Sequence, residues 1–148
     1  YAAAEHTLAR ILAHYRQIPQ QAASLQAGNW QSGVGRTLRG RTLGLYGYGR
    51  IAGALAEYAM AIGLNIQWWG SQDGRARAKA NGETVAPSRE TFFATSDIVS
   101  ILVRLKPETR GLITAADLAA MQRRALFVNT SRSALVEQGA LEAEVAKG

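Results

Sequence analysis

The chain has 148 residues, of which 47% are hydrophobic and 19% charged, a balance typical of one globular domain. It contains no cysteine, which excludes disulfides and thiol chemistry. No apolar run approaches the roughly 18 residues that a membrane-spanning helix needs, and the first residues lack the basic and apolar regions of a secretory signal. We therefore expect a cytoplasmic protein without a membrane partner.

The formal net charge of +6 makes nucleic acid a partner to consider. The arginines are nevertheless spread along the chain, without a long basic run and without alternation of basic and aromatic residues. We expect no nucleic-acid partner and no metal site. The excess charge is interpreted as sites for an anionic cofactor, or as the counterpart of acidic segments of a longer chain.

The first element is a helix over residues 4–16, whose apolar residues follow helical spacing: Leu8, Ile11, Leu12 and Tyr15. Because it starts with no capping segment before it, we expect that something upstream has been removed. His6 and His14 lie on this helix, where a structural or solvent-facing role is more common than a catalytic one. Residues 28–41 form a glycine-rich connector.

Strands and helices then alternate along the chain. The predicted strands are residues 42–46, 64–69, 97–103 and 125–128. The predicted helices cover residues 50–62 and 88–94, with a short helix between them, within residues 70–81. A further helix begins at the capping-box-like pair Thr114 and Asp117. The last helix covers roughly residues 138–146 and is followed by its end at residues 147–148. This alternation predicts an α/β fold in one domain over 1–148: a doubly wound, Rossmann-type parallel sheet in three α/β/α layers.

The strongest motif lies between the first strand and the helix after it: Gly47-Tyr48-Gly49-Arg50-Ile51-Ala52. In a dinucleotide site, the first glycine allows the tight turn, the second lets a pyrophosphate approach the backbone, and the third position packs the helix on the strand. The helix amino end supplies free N–H groups, and Arg50 adds a charged donor. Such a string can be purely structural, but its strand–turn–helix context favours a dinucleotide site.

An acidic residue about 20 residues after the turn normally holds the ribose hydroxyls of NAD. Here that position is Gly70, followed by Ser71. Because a carboxylate would repel a 2′-phosphate, its absence opens the site to NADP, whose phosphate Ser71 with Arg75 or Arg77 could receive. In the alternative, Asp73 or backbone groups serve NAD and the arginines are solvated. NAD and NADP both stay open, with NADP slightly favoured.

Three stretches together resemble the D-2-hydroxyacid dehydrogenases, a family that includes the hydroxypyruvate/glyoxylate reductases and phosphoglycerate dehydrogenase. The stretches are residues 38–51, 96–111 and 128–141. The third is the most specific, because it occurs at its proper distance after the other two. Residues 4–7 resemble the helix that links the two domains of this family, so the resemblance covers essentially the whole chain.

The resemblance implies a set of cofactor-binding residues along the chain: Gly47, Gly49, Arg50 and Ile51 at the pyrophosphate, Gly70 and Ser71 at the adenosine ribose, Arg104 and Thr109 by the adjoining loop, and Thr130, Ser131 and Arg132 at the nicotinamide side. Arg132 also matches the family's catalytic arginine, which holds the carboxylate and keto oxygen of the substrate. A guanidinium suits this task, since it grips a 2-oxo acid in a planar, bidentate way. The alternative for Arg132 is a surface arginine that caps a strand end, which is the less favoured interpretation even without the resemblance.

The sequence also departs from the family pattern. Leu102 and Arg104 stand where the family often has histidine and proline, and Ser133 replaces a usual glycine. The family's glutamate–histidine pair and its substrate-binding domain have no counterpart in this sequence. We expect an NAD(P)-dependent oxidoreductase acting on a small 2-oxo or D-2-hydroxy acid as the parent protein, and no catalysis by this piece alone.

Family members are commonly homodimers with the linker helix, here within residues 1–27, at the interface. The apolar stripe of this helix fits a homodimer, and it fits a core-facing helix equally well. A second hypothesis is a non-catalytic module in which the dinucleotide governs assembly with a partner, as in corepressor relatives of the family. A methyltransferase-like or other Rossmann-type site is disfavoured by the third stretch.

Overall fold

Residues 1–147 are described by a computed structural model and form a parallel sheet of four strands. The strands are β1 (Thr42–Tyr46), β2 (Asn65–Trp69), β3 (Ile98–Ile101) and β4 (Leu126–Asn129), in the spatial order β2-β1-β3-β4. Leu43 lies in register with Ile66 on one side and with Ile98 on the other. The chain moves outward from β1 to β2 and then returns past β1 to β3, which confirms the doubly wound sheet.

Helices cover both faces of this sheet. They are α1 (Ala2–Tyr15), α2 (Ile18–Gln26), α3 (Arg50–Ala61), α4 (Gln72–Ala80), α5 (Arg89–Thr95), α6 (Ala115–Ala120) and α7 (Ala140–Val145).

β1 has the predicted bounds, whereas the strand predicted over 97–103 is too long, because residues 102–105 leave the sheet and line the cavities described below. The predicted helix end at residue 148 lies outside the described residues.

Helix α2 is missing from the sequence-based prediction because none of its side chains is buried, so no apolar stripe marks it. Pro19 lies in its first turn, where proline costs no intrahelical hydrogen bond. Gln17, with a left-handed backbone (φ 54°), separates α2 from α1. The linker region predicted over 1–27 therefore consists of two helices that differ in direction.

The first core layer lies between the sheet and helices α1 and α3. Leu43 and Leu45 alternate onto this face and pack with Leu55 of α3 and Ile11 of α1. The predicted apolar stripe of α1 faces this core layer. Ile11 and Tyr15 are fully buried, and Leu8 and Leu12 are partly buried against the same cluster. His6 and His14 are exposed on the same helix.

The second core layer lies on the opposite face. Tyr46, Val99 and Ile101 point there and pack with Phe92 and Phe93 of α5. Helix α6 and the segment before α7 extend this layer. Two helical layers around one sheet give the predicted three-layer α/β/α architecture, and they leave the carboxyl ends of the strands open at one edge.

Candidate functional site

A cleft opens at the carboxyl ends of β1 and β3, where the chain turns to opposite faces of the sheet. Ligands of doubly wound proteins bind at such a switch point. Two cavities meet there at Gly49, Leu102 and Val103. We call one the arginine cavity, about 530 Å³ and lined by Arg50, Arg104 and Arg132 among others, and the other the tyrosine cavity, about 470 Å³ and lined by Tyr46, Tyr48 and Thr109 among others.

A larger cavity of about 690 Å³ lies between β4 and α7. Its lining combines the carboxylates Glu137 and Glu142 with the guanidiniums of Arg110 and Arg132, so it favours an anionic ligand less than a lining without carboxylates would. The cleft, by contrast, is lined by guanidiniums and by the amino end of α3 and has no carboxylate among its lining residues. We therefore place the candidate site in the cleft, even though it is not the most voluminous cavity.

Gly47 and Gly49 shape the turn at the centre of the cleft in different ways. Gly47 has φ 120°, and a Cβ there would lie 2.6 Å from the carbonyl oxygen of Leu102. Only glycine fits this position without displacing backbone. Gly49 has an extended backbone with φ −134°, and a Cβ there would meet no atom within 4 Å. The space above Gly49 is thus open for a ligand that approaches the backbone.

The amino end of α3 points into this open space. Its first backbone hydrogen bond runs from the N–H of Gly53 to the carbonyl of Gly49 at 2.9 Å. The N–H groups of Arg50, Ile51 and Ala52 therefore have no partner among residues 1–147. Ala52 is buried against the sheet and brings the helix close to it, whereas Arg50 is exposed. Free donors at the positive end of a helix are an anion-binding arrangement.

At the end of β2, Gly70 lies directly against the turn. It has φ 152°, and a Cβ there would lie 3.4 Å from the backbone nitrogen of Gly47. An acidic side chain would therefore be strained at the position where NAD sites normally carry one. The hydroxyl oxygen of Ser71 accepts a hydrogen bond from the N–H of Gly74 at 3.2 Å, so Ser71 is the N-cap of α4.

The two arginines of α4 both donate to backbone carbonyls near this N-cap. Arg75 stacks on the Trp69 ring at 4.2 Å and donates to the carbonyl of Gly70 at 2.6 Å. Arg77 donates to the carbonyl of Tyr48 at 3.2 Å and pairs with Asp73 at 3.3 Å. Because that ion pair is exposed, it stabilises little and leaves Arg77 available at the tyrosine cavity.

The loop after β3 forms one wall of the cleft. Thr109 accepts a hydrogen bond from the N–H of Lys106 at 2.8 Å and donates to the carbonyl of Arg104 at 2.8 Å. These bonds fix the loop, with Arg104 at the arginine cavity and Thr109 at the tyrosine cavity. Arg104 and Thr109 therefore both line the cleft, each in a different one of its two cavities.

The segment after β4 forms the opposite wall of the arginine cavity. The hydroxyl of Thr130 shares a hydrogen bond of 2.7 Å with buried Thr7 of α1, and Ser131 donates to the carbonyl of Ile101 at 3.0 Å. Arg132 is exposed and donates to the carbonyl of Ser131 at 2.8 Å. These positions bring Arg132 into the same cavity as Arg50, although 82 residues separate them in the sequence (132 minus 50).

Comparison with known proteins agrees with this geometry. The sequence pattern of the family described as "D-isomer specific 2-hydroxyacid dehydrogenase, NAD binding domain" matches residues 8–148.

The chain belongs to this family.

Individual relatives support the assignment. The chain is 36% identical to glyoxylate reductase of Aeropyrum pernix, over 99% of this chain and 46% of that protein. It is 34% identical to hydroxypyruvate reductase of Thermotoga maritima, over 98% and 47%. Among solved structures, phosphoglycerate oxidoreductase of Vibrio cholerae superposes with a TM-score of 0.93 at 43% identity, over 99% of this chain and 48% of that one. The chain thus spans about half the length of these relatives.

As an NAD-binding domain of the D-2-hydroxyacid dehydrogenase family, the chain contains a network under the cleft that the sequence patterns missed. Arg89 of α5 donates twice to the carboxylate of Asp117, each time at 2.6 Å, and also to the carbonyl of Leu112. Its remaining nitrogen donates to the hydroxyl of Tyr46 at 3.1 Å. Thr114 donates its N–H to Asp117 as well. This network holds the floor of the tyrosine cavity.

The charges of this network depend on each other. Burial would raise the pKa of Asp117, but hydrogen bonds from Arg89 and Thr114 and the charge of Arg89 hold it below its usual value. The hydrogen bond to Asp117 raises the pKa of Arg89, and burial raises that of the Tyr46 phenol. Only the Thr114–Asp117 spacing was visible in the sequence, since nothing local marks Arg89 as a partner 28 residues away.

Two further findings concern other kinds of site. Within residues 1–147, no group of three or more histidine or acidic side chains is arranged to hold a metal ion. The helices of this part of the chain also include none that combines the length and the apolar character needed to cross a membrane.

Proposed function

We propose that the cleft binds a nicotinamide dinucleotide, and that the protein to which this chain belongs transfers a hydride between that cofactor and a small D-2-hydroxy or 2-oxo acid. The open amino end of α3 behind Gly47 and Gly49 carries this proposal, because it offers free donors and space where a pyrophosphate would lie. When bound, the cofactor supplies the hydride chemistry, and the protein supplies binding and orientation.

The named relatives favour this activity. They include a glyoxylate reductase, a hydroxypyruvate reductase and several D-3-phosphoglycerate dehydrogenases. The arginine cavity fits acidic substrates of this kind, since three exposed guanidiniums line it and no carboxylate does. We assign Arg50 with Ile51 to the pyrophosphate, Gly70 and Ser71 to the adenosine ribose, and Thr130 and Ser131 to the nicotinamide side.

Arg132 is our candidate for the residue that holds the substrate. Its guanidinium stays charged and can grip the carboxylate and the keto oxygen together. Neither His6 nor His14 lines the cleft, and within residues 1–147 the cleft has no histidine to donate a proton to the keto oxygen. We therefore expect this chain alone to bind the cofactor without turning over substrate.

We expect substitution of Arg132 to separate the enzyme from a non-catalytic dinucleotide-sensing module. In the longer protein, Arg132→Gln should lower kcat/KM for the 2-oxo acid by about 100-fold or more, as expected when a preorganised charged donor is lost. Arg132→Lys keeps the charge but not the bidentate grip, and it should recover only a small part of this loss. Steady-state kinetics measures both, and equal activity of Arg132→Gln and the unmodified protein would favour the module.

Within this proposal, NADP is slightly preferred over NAD. No carboxylate stands at Gly70, and Ser71 lies at the tyrosine cavity with Arg77. The oxygen of Ser71 accepts the helix-capping bond, so its hydroxyl hydrogen is free to donate to a 2′-phosphate. The exposed Asp73 partly offsets the charge of Arg77, which keeps the expected preference modest.

A substitution at Ser71 tests this preference without disturbing the helix. Aspartate and asparagine both cap helices well, so Ser71→Asp and Ser71→Asn should leave α4 intact. The aspartate should repel the 2′-phosphate and weaken NADPH binding by about tenfold, or about 1.4 kcal/mol, while NADH binding stays the same. Calorimetric titration of both variants measures this, and equal NADPH affinities for the two would contradict the proposed phosphate position.

A homodimer in the cytoplasm completes the proposal. The apolar side of α1 packs in the core of this chain, but exposed apolar side chains remain on α2 and the segment after it: Ile18, Leu25, Trp30 and Val34. A second copy of the chain would remove these side chains from water. Sedimentation equilibrium distinguishes a dimer from a monomer.

A further inference from the structure

The amino end of β4 carries a group of positive charges that the dinucleotide site does not use. A depression of about 350 Å³ is lined by His14, Arg36, Arg123, Arg124 and Ala125. All of its polar lining side chains are basic. We call this depression the basal site, because it lies at the opposite edge of the sheet from the cleft.

The basal site and the cleft lie too far apart to hold the same phosphate group. Ala125 precedes β4, and Thr130, which lines the arginine cavity, follows it. At about 3.3 Å per residue, the strand places these two ends roughly 16 Å apart. A dinucleotide held at the amino end of α3 has its phosphates at the other edge of the sheet, so the basal charges do not serve it.

Backbone hydrogen bonds fix the main chain of these arginines in two segments. Arg123 and Arg124 are the central residues of a tight turn closed by a hydrogen bond from the N–H of Ala125 to the carbonyl of Gln122 at 2.8 Å. Arg36 is held by its own N–H, which donates to the carbonyl of Tyr15 at 2.7 Å, and by stacking of its guanidinium over the Tyr15 ring at 4.8 Å. The two segments that carry the three arginines are therefore already in place before a ligand binds.

The acidic group at the amino end of the neighbouring strand β3 is already occupied. Asp97, at the amino end of β3, pairs with Arg41 at 3.1 Å and accepts the N–H of Thr42 at 2.8 Å. Within residues 1–147, Arg36, Arg123 and Arg124 form no ion pair with a carboxylate. Three like charges that face one depression repel each other, and a bound multivalent anion would relieve that repulsion.

We propose that the basal site binds a phosphate-type anion, either free or as the phosphate group of a small metabolite. Guanidiniums present paired N–H donors that match the oxygens of a phosphate, and the three that line this depression come from two segments, Arg36 from one and the adjacent Arg123 and Arg124 from the other. The volume admits a phosphate with a short organic group. This proposal does not rest on the proposed function of the cleft.

The test is a titration of the isotope-labelled chain with inorganic phosphate at constant ionic strength, followed by two-dimensional NMR of the backbone amides. We expect saturable shifts at residues 36 and 123–125 with a Kd of about 1 mM, in the range of weak ligands. These shifts should persist when NADH is present, whereas any phosphate effect at Gly49 and Arg50 should disappear. Glycerol phosphate, used in parallel, shows whether a phosphate ester binds more tightly than the free ion.

Two double variants provide the comparison. Arg123→Gln with Arg124→Gln should weaken the basal shifts by at least about tenfold. Arg10→Gln with Lys79→Gln removes the same charge from exposed positions elsewhere and should leave them unchanged. Shifts that grow linearly without saturation, or that respond equally to both double variants, would overturn the proposal. So would binding of a DNA oligonucleotide or an acidic peptide at these residues when phosphate and its ester fail to bind.

Discussion

Replacing Gly49 with alanine is expected to weaken NADH and NADPH binding by at least about tenfold, or about 1.4 kcal/mol, at little cost to the fold. A Cβ at this position meets no protein atom within 4 Å, and its backbone has φ −134°, which any residue adopts. The methyl group would instead occupy the space where a pyrophosphate approaches the backbone. Alanine is a poorer N-cap than glycine, so we expect some loss of stability. Because the added Cβ meets no protein atom, this loss should stay under about 1 kcal/mol.

Two other glycines serve as controls for this experiment. Gly53→Ala adds the same methyl group one turn later, again into open space, and should leave binding unchanged. Gly47→Ala should destabilise the chain by about 2 kcal/mol or more, because it combines backbone strain with a clash against the Leu102 carbonyl. Calorimetric titration and thermal unfolding separate the two effects. Equal NADH affinities for Gly49→Ala and Gly53→Ala would show that the pyrophosphate lies elsewhere.

Replacing Asp117 with asparagine is expected to lower the free energy of unfolding at pH 7 by about 2–3 kcal/mol. Loss of one partner from a buried ion pair typically costs about 3–5 kcal/mol. We place the effect lower because the side chain of Arg89 is 36% exposed while that of Asp117 is 7% exposed, so water can partly solvate the guanidinium. Asp73→Asn breaks an exposed pair and should cost less than about 0.5 kcal/mol.

The pH dependence of this effect has a definite sign. The folded-state pKa of Asp117 is lowered, so the carboxylate stabilises the fold at pH values above its unfolded pKa of about 3.9. That contribution is lost as the pH falls below about 4 toward the folded-state pKa. Urea unfolding of the unmodified chain and Asp117→Asn should therefore give stabilities that converge in acid. A difference that stays constant or grows on acidification would contradict the assigned network.

Local signals in the sequence account for the elements that were predicted well. β1 and the start of α3 were predicted to the residue, because an apolar strand, two glycines and an amphipathic helix follow each other directly. The alternation of strands and helices was enough to predict the doubly wound sheet. Arg50 and Arg132 were singled out by the family resemblance, at the pyrophosphate and at the nicotinamide side, and the structure brings them to one cavity.

Contacts between distant segments account for what the sequence could not show. The Arg89–Asp117 pair joins residues 28 positions apart, and no periodicity links them. Helix α2 has no buried face to produce a pattern. Val85 forms only a single parallel bridge to Trp68 beside β2, too short to read as a strand. The role of Ser71 as an N-cap also emerged only from the structure.

The central claim is that the cleft binds a nicotinamide dinucleotide, and its most direct test is titration of the unmodified chain with NADH and with NADPH. Calorimetry would measure affinity and stoichiometry, and backbone NMR would locate the site. We expect saturable binding of one dinucleotide per chain, with the largest shifts at Gly49, Arg50 and Ile51. If a chain that unfolds cooperatively binds neither cofactor, the turn between β1 and α3 is structural and the account is wrong.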